Sequence, residues 1–226
     1  MTPSLERPYH QSLLRVYTVG ENGERAQMMR SVPPEISANV MAAADLIADQ
    51  GLDGTKSEDI ASVAGISKAT LYYYFDGKEA VLSHIFAVLL DALGDAVQGA
   101  VDGPGNAMER LHRVVDVHLD IVATYPKAAR ALHFDLGRAA RLPEIDEKTR
   151  VSYIDPVSSL FEDGATDGTI RPLRQPRLGA MALLAATTTA AIMATSIDGI
   201  GDLDGVKEMI FELVLDGLST TVQLPD

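Results

Sequence analysis

Tyr72, Tyr73, Tyr74 and Phe75 stand in consecutive positions of a chain that is only 5% aromatic. Phenol hydroxyls can donate to phosphate oxygens, and ring faces and small methyl-bearing side chains can meet base edges and thymine methyls. A helix advances about 100° per residue, so four aromatics in a row cannot all face a core and at least one meets solvent or a partner. With Lys68 set at 0°, Leu71 falls at about 300° and Phe75 at about 340°, which makes those two the inward face. Ala69, Thr70 and Tyr73 share the opposite face at about 100–200°, with Tyr72 at about 40° and Tyr74 at about 240° on its flanks. Such a face fits a helix laid in a DNA major groove, its middle against base edges and its flanks against phosphates. The alternative is that the tyrosines pack this helix against the next one, Tyr72 above all, whose ring lies closest to the inward face.

The neighbouring elements would position this face. From Glu35 the apolar residues Val40, Ala43, Ala44 and Ile47 recur at helical spacing up to Gly51, a left-handed stop. "TKSEDIASVAG" offers Thr55 or Ser57 as N-cap, Glu58 and Asp59 in the positive first turn, and Gly65 as terminator. Ser67 can then cap the aromatic helix by accepting from the amide of Thr70. Two short helices on a tight glycine turn define a helix-turn-helix. After the turn signal Asp76-Gly77, a long helix carries Val81, Leu82, Ile85, Leu89 and Leu93 along one side. Lys78 opens that helix, where a cation opposes the macrodipole and a phosphate would compensate it. Pairing with Asp76 or plain exposure is the other reading.

Helical segments follow at 106–124, 126–138, 144–164, 175–197 and 203–222, separated by glycine- and proline-rich breaks, and no stretch shows strand alternation. The fold class is all-α. Residues 1–34 form an extension, partly disordered, residues 35–80 a three-helix DNA-binding domain, and residues 81–226 a helical ligand-binding and dimerisation domain.

"TKSEDIASVAGISKATLYYYFDGKEAVL", Thr55 to Leu82, resembles the DNA-binding segment of the tetracycline-repressor (TetR) family. The family pattern is met by Thr55, Ile60 and Ala61, Ala64 to Ser67, Thr70 to Tyr72, Phe75, Lys78 and Glu79. The resemblance covers Glu35 to Val81, and beyond it the chain is similar to the family only in layout. It implies DNA contacts by Lys68, Ala69, Thr70, Tyr72, Tyr73, Tyr74 and Lys78, with Thr55 and Ser57 touching phosphate from the preceding helix. It also implies a ligand-responsive transcriptional regulator, a repressor, that binds a palindromic operator as a homodimer and is released by a small-molecule effector. Two departures stand out: "PEISANV" lacks the basic residues with which the family usually opens its first helix, and the extension is longer than usual.

Charge bears on this reading. The net charge is −13, and residues 35–80 carry only Lys56, Lys68 and Lys78 against eight carboxylates. Phosphate affinity comes mainly from Lys and Arg, so non-specific binding is expected to be modest. Arg7, Arg15, Arg25 and Arg30 in the extension could supply charge as a minor-groove arm. The same acidity leaves open a helical small-molecule carrier or scaffold that has lost DNA binding. With no cysteine and no signal-like N-terminus, the expected location is cytoplasmic.

His112, His118 and His133 lack metal-ligand spacing, and no nucleophile elbow or phosphate loop occurs, so neither enzyme chemistry nor a metal or other cofactor is expected. These histidines read as surface or pocket residues. Arg130, Arg138 and Arg141 could meet an anionic ligand, or lie on a solvated face. Phe86, Leu90, Met108, Leu119, Phe134, Met181 and Thr187 are the candidate effector lining, a pattern that ordinary core also produces. Leu178 to Ile197 carries no charge and no second such run is apparent. Together with Val206, Ile210, Leu213, Val214 and Leu218 it is expected to form a four-helix dimer interface rather than a membrane span.

Overall fold

Pro33 and Pro34 fix the start of the first helix, because proline is preset for the first helical position. In the computed structural model, which describes residues 31–135, 143–196 and 202–218, α1 spans Pro34–Val40 and α2 spans Ala43–Gly54. The expected single helix from Glu35 is thus divided at Met41 and Ala42. Both retain right-handed helical dihedrals, and Ala42 N–H turns to Asn39 O at 3.2 Å, so the division is a local tightening rather than a break. Gly51, at φ 71°, ends the regular helix as expected.

Next come α3, Ser57–Val63, and α4, Lys68–Tyr74. Gly65 takes φ 64° between them, and Ile66 N–H returns to Ala61 O at 3.0 Å, the bond that closes a left-handed helix stop. Ser67 Oγ accepts from Thr70 N–H at 2.9 Å, the expected cap. Phe75 is already extended, and Gly77 at φ 89° leads into α5, Lys78–Val101. This 24-residue helix buries Val81, Leu82, Ile85, Phe86, Leu89, Leu90, Leu93 and Val97, and it is the spine against which the rest packs.

α6, Ala107–Thr124, begins with a capping box in which Asn106 and Glu109 exchange side-chain bonds to each other's backbone amides. α7 is Pro126–Phe134 and α8 is Pro143–Thr149. The expected helix over 144–164 is interrupted by a π turn, Arg150–Ile154, before α9, Asp155–Asp167. Pro156 accounts for the π turn: without an N–H it cannot return a bond to the carbonyl four residues back. Gly164 has no room for a side chain, since a Cβ there would lie 2.5 Å from Ile170 Cδ1. α10, Pro176–Ser196, and α11, Leu203–Ile210, complete the fold, followed by a π turn to Leu215 and a 3-10 turn, Asp216–Leu218.

No strand occurs among the described residues, and the fold is all-α, with a helix-turn-helix near the N-terminus and a helical C-terminal region. The expected extension lies outside the described residues up to Arg30, as do Arg138, Arg141 and the end of the 203–222 segment. Among the described residues two helices are long and apolar enough to cross a membrane by length and composition, Lys78–Val101 and the segment 176–195, and the first of them carries Asp91 and Asp95 along its length. In α5 that apolar content serves the core, because its leucines, valines and isoleucines meet the surrounding helices.

Candidate functional site

Leu71 of α4 is fully buried and Phe75, just past its end, nearly so, while Ala69 is exposed and Tyr72 and Tyr73 are 50% and 56% exposed. Thr70 and Tyr74 are half-buried. The expected outward face therefore exists, with one correction on its flanks: Tyr74, not Tyr72, leans toward the core. Its ring meets Tyr73 edge-on at 4.8 Å, and it packs against buried residues. The physical reason is the early end of α4. With Phe75 extended, the inward face is set by Leu71 alone, about 60° from Tyr74 but about 100° from Tyr72.

Lys68 pairs with Glu58 of α3, and its ammonium stands 5.8 Å from the Tyr72 ring centroid. Hydrogen bonding to Lys68 holds the Glu58 carboxyl below its ordinary range, and the same bond raises the lysine. A phosphate meeting Lys68 must therefore displace an exposed carboxylate, which limits the net electrostatic gain.

Three residues expected at phosphates are placed otherwise or differently. Thr55 is 1% exposed and donates its hydroxyl to Gly51 O at 2.8 Å, so that hydroxyl ties off the broken end of α2 and does not face a duplex. Ser57 is half-buried as the first residue of α3, and neither it nor Thr55 is the N-cap; Lys56 is, with no side-chain cap bond. Lys78 donates to Leu52 O at 2.8 Å, Thr55 O at 3.0 Å and Asp53 O at 3.3 Å. Its misfit with the α5 macrodipole is offset by carbonyls freed where Gly51 stops α2, not by phosphate. Lys78→Met is accordingly expected to lower stability by about 1.5–3 kcal/mol, the range for bonds to a charged group. The slope of log K for operator DNA against log salt should stay unchanged. A slope shallower by about 0.9 per subunit at unaltered melting temperature would return Lys78 to the phosphate.

The same end of α2 is held from the other side. Arg130 on α7 donates to Ala48 O at 2.8 Å and to Asp49 Oδ1 at 2.6 Å, and Lys127 lies 3.7 Å from the same carboxylate. Arg130, a candidate for an anionic ligand, is thus engaged with α2. From α5, His84 reaches α1, its Nε2 2.8 Å from Ser37 Oγ.

Of the expected effector lining, Phe86, Leu90, Leu119 and Thr187 are buried, and Met108 packs against the core. Phe134 and Met181 are corrected: they are 67% and 49% exposed and line no interior. Phe134 is the last residue of α7, beyond the stripe of Ala128, Ala129 and Ala131 that the helix buries. On α10 the buried stripe is Ala180, Leu183, Thr187 and Ala191, and Met181 lies off it. A groove of about 320 Å³ between α6 and α11 is lined by Asp116, Leu119, Asp120, Leu203, Asp204 and Lys207, too charged to suit an apolar body.

Polar side chains also lie inside this region, His118 and Thr187 among them. His118 is 2% exposed, with Nε2 2.9 Å from Thr188 Oγ1 and its ring 5.3 Å from that of Tyr153, which is wholly buried. Leu111, Val115 and Val122 on one buried stripe of α6 mark position 118 as interior, a signal present in the spacing; Tyr153 on the π turn gave none. Burial lowers the His118 pKa from 6.5 to about 4 and pushes the Tyr153 phenol up. Because the unfolded histidine binds a proton below pH 6.5 while the folded one resists it down to about pH 4, stability is expected to fall as pH falls through that window. The full loss is about 3 kcal/mol, and His118→Asn should flatten the curve between those limits. Urea midpoints of both chains against pH measure it.

Comparison with known proteins bears on the same residues. Residues 40–85 match the family described as bacterial regulatory proteins, tetR family. The chain is 28% identical over 211 residues to the HTH-type transcriptional repressor KstR2 of Rhodococcus jostii, covering 90% of this chain and 95% of that protein. Among solved structures, the fatty acid degradation regulator FadR from Bacillus halodurans aligns with a TM-score of 0.72 at 22% identity, covering 82% of this chain and 97% of that one. AibR in complex with isovaleryl coenzyme A and operator DNA aligns with a TM-score of 0.66 at 25% identity, covering 80% and 98%.

Proposed function

We propose that this chain, which belongs to the tetR family of bacterial regulatory proteins, is a ligand-responsive repressor that binds a palindromic operator as a homodimer and is released by a small-molecule effector. The observation that carries it is the split character of α4, whose Leu71 is locked in the core while Ala69, Tyr72 and Tyr73 are presented outward within the matched segment. Residues 35–80 read DNA in this account and residues 81–226 bind effector and partner, in the cytoplasm. The DNA contacts are Lys68, Ala69, Thr70, Tyr72 and Tyr73, with Tyr74 and Ser57 at the margins.

Dimerisation follows from apolar surface. Leu178, Met181 and Met193 on α10, with Met209 on α11 and Leu213 just beyond it, are each about half exposed or more, and a second copy of the chain would cover them across a twofold axis. AibR, the relative solved with both isovaleryl coenzyme A and operator DNA, makes an acyl thioester a reasonable first effector to try.

Release works by linkage. An effector that binds better to a state with misplaced recognition helices lowers operator affinity by the same free energy. The contacts able to carry that shift are Arg130 and Lys78 on the carbonyl end of α2 and His84 on α1. Fluorescence anisotropy with DNA from upstream of its own coding sequence, over a salt series and with acyl thioesters added, tests the reading alongside light scattering. Saturable, salt-dependent binding by a dimer supports it. A chain that binds ligand yet shows no preference for that DNA is a carrier instead.

A further inference from the structure

The helices after α5 bury polar groups that their own side chains do not saturate. His118 of α6, Tyr153 of the π turn and Thr187 of α10 are all at most 2% exposed. Thr188 Oγ1 meets His118 Nε2 at 2.9 Å, but among the described residues His118 Nδ1, the Tyr153 hydroxyl and the Thr187 hydroxyl have no hydrogen-bond partner. The His118 and Tyr153 rings meet edge to face at 5.3 Å, and Thr187 adjoins Thr188 in sequence. Buried neighbours on these same elements, Val115, Leu119, Ile154 and Leu183, are apolar. Each unmade bond opposes folding, and phenylalanine, valine and leucine would fill the same space without that penalty. The π turn that holds Tyr153 is itself a rare form that recurs at functional sites.

We propose that His118, Tyr153 and Thr187 form a recognition site for a neutral oxygen function, a ketone or an alcohol, carried on an otherwise apolar molecule. This rests on the effector-binding reading above and names the chemistry the effector brings. A ketone oxygen accepts from the Tyr153 hydroxyl, and a ligand hydroxyl can in addition donate to His118 Nδ1 or to Thr187. Burial keeps the imidazole uncharged near neutral pH and the phenol protonated, and none of these groups offers a counter-charge. A carboxylate or ammonium placed there would be desolvated and unpaired.

The test uses the full chain at pH 7.5 without DNA, so that a failure of operator binding does not bear on it. Calorimetric titration with 2-decanone, 2-decanol, decanoate and decane separates the classes. The ketone and the alcohol are expected to bind at least about tenfold more tightly than decanoate or decane, the size of one well-made hydrogen bond. Tyr153→Phe should erase most of that advantage, Thr187→Val should lower only the alcohol's share of it, and both should leave decane binding as it was. Without ligand, Tyr153→Phe should melt at or above the wild-type temperature, because an unpaired hydroxyl has gone. Tighter binding of decanoate, unchanged ketone affinity in Tyr153→Phe, or equal losses for ketone and decane would each overturn the proposal. Binding of none of the four would also overturn it, leaving an internal water as the occupant. A chain that discriminates the ketone yet ignores its upstream DNA would keep this site and sink the regulatory reading.

Discussion

Phe75→Ala is expected to destabilise the protein by about 3–5 kcal/mol, the range for truncating a buried phenylalanine to a cavity. The ring is 3% exposed and sits where the chain leaves α4 in an extended conformation, so it closes the seam between the recognition helix and α5. It also meets the His84 ring edge-on at 5.4 Å, and His84 in turn reaches Ser37 of α1. Losing the ring therefore loosens two contacts that fix the helix-turn-helix on the spine. A domain stable by about 5–15 kcal/mol would forfeit a large share of its margin. Operator affinity should fall only in proportion to the unfolded fraction, with sequence preference intact in the molecules that stay folded. Urea midpoints with anisotropy on the same samples measure both quantities. A wild-type midpoint would mean that Phe75 is not the seam, and Phe75→Leu should recover most of the loss because volume is largely restored.

What the sequence made legible follows from how local each determinant is. Gly51, Gly65 and Gly77 adopt positive φ where helices were expected to stop or start, and Ser67 caps α4, because these choices depend on a few neighbouring residues. Leu71 and Phe75 were assigned to the core correctly, since an apolar side chain with a buried spine beside it has little alternative. Misread positions depended on distant partners. The acceptors of Lys78 lie on residues 52 to 55, freed by a glycine that the sequence does show, but nothing local says that α5 starts beneath them. Met181 and Phe134 are apolar residues on apolar helices, and periodicity alone does not distinguish a face turned inward from one awaiting a partner. Tyr74 and Tyr72 exchanged places because the helix ended one residue before Phe75, a shift within the ordinary uncertainty of helix ends.

Tyr73→Ala is expected to weaken operator binding by about 1–3 kcal/mol per half-site, hence about 2–6 kcal/mol for a twofold complex, and to relax preference at one or two base pairs in each half. The ring is 56% exposed at the middle of the outward face, between the small residues Ala69 and Thr70 that would let the helix approach the groove floor. With so little of it buried, its removal should leave the melting temperature close to that of the wild type. Tyr72→Phe isolates the flank: the ring stays and one phosphate bond goes, so affinity should drop evenly across operator variants with no change in preference. Tyr74, half-buried against the core and edge-on to Tyr73, should behave differently. Tyr74→Ala should lower melting temperature and affinity together, by removing the ring against which Tyr73 rests. Binding to a set of single-base operator variants, measured beside thermal melts, separates the three. Should Tyr73→Ala melt early while its folded fraction keeps full operator discrimination, the ring supports the fold and the reading face of α4 lies elsewhere.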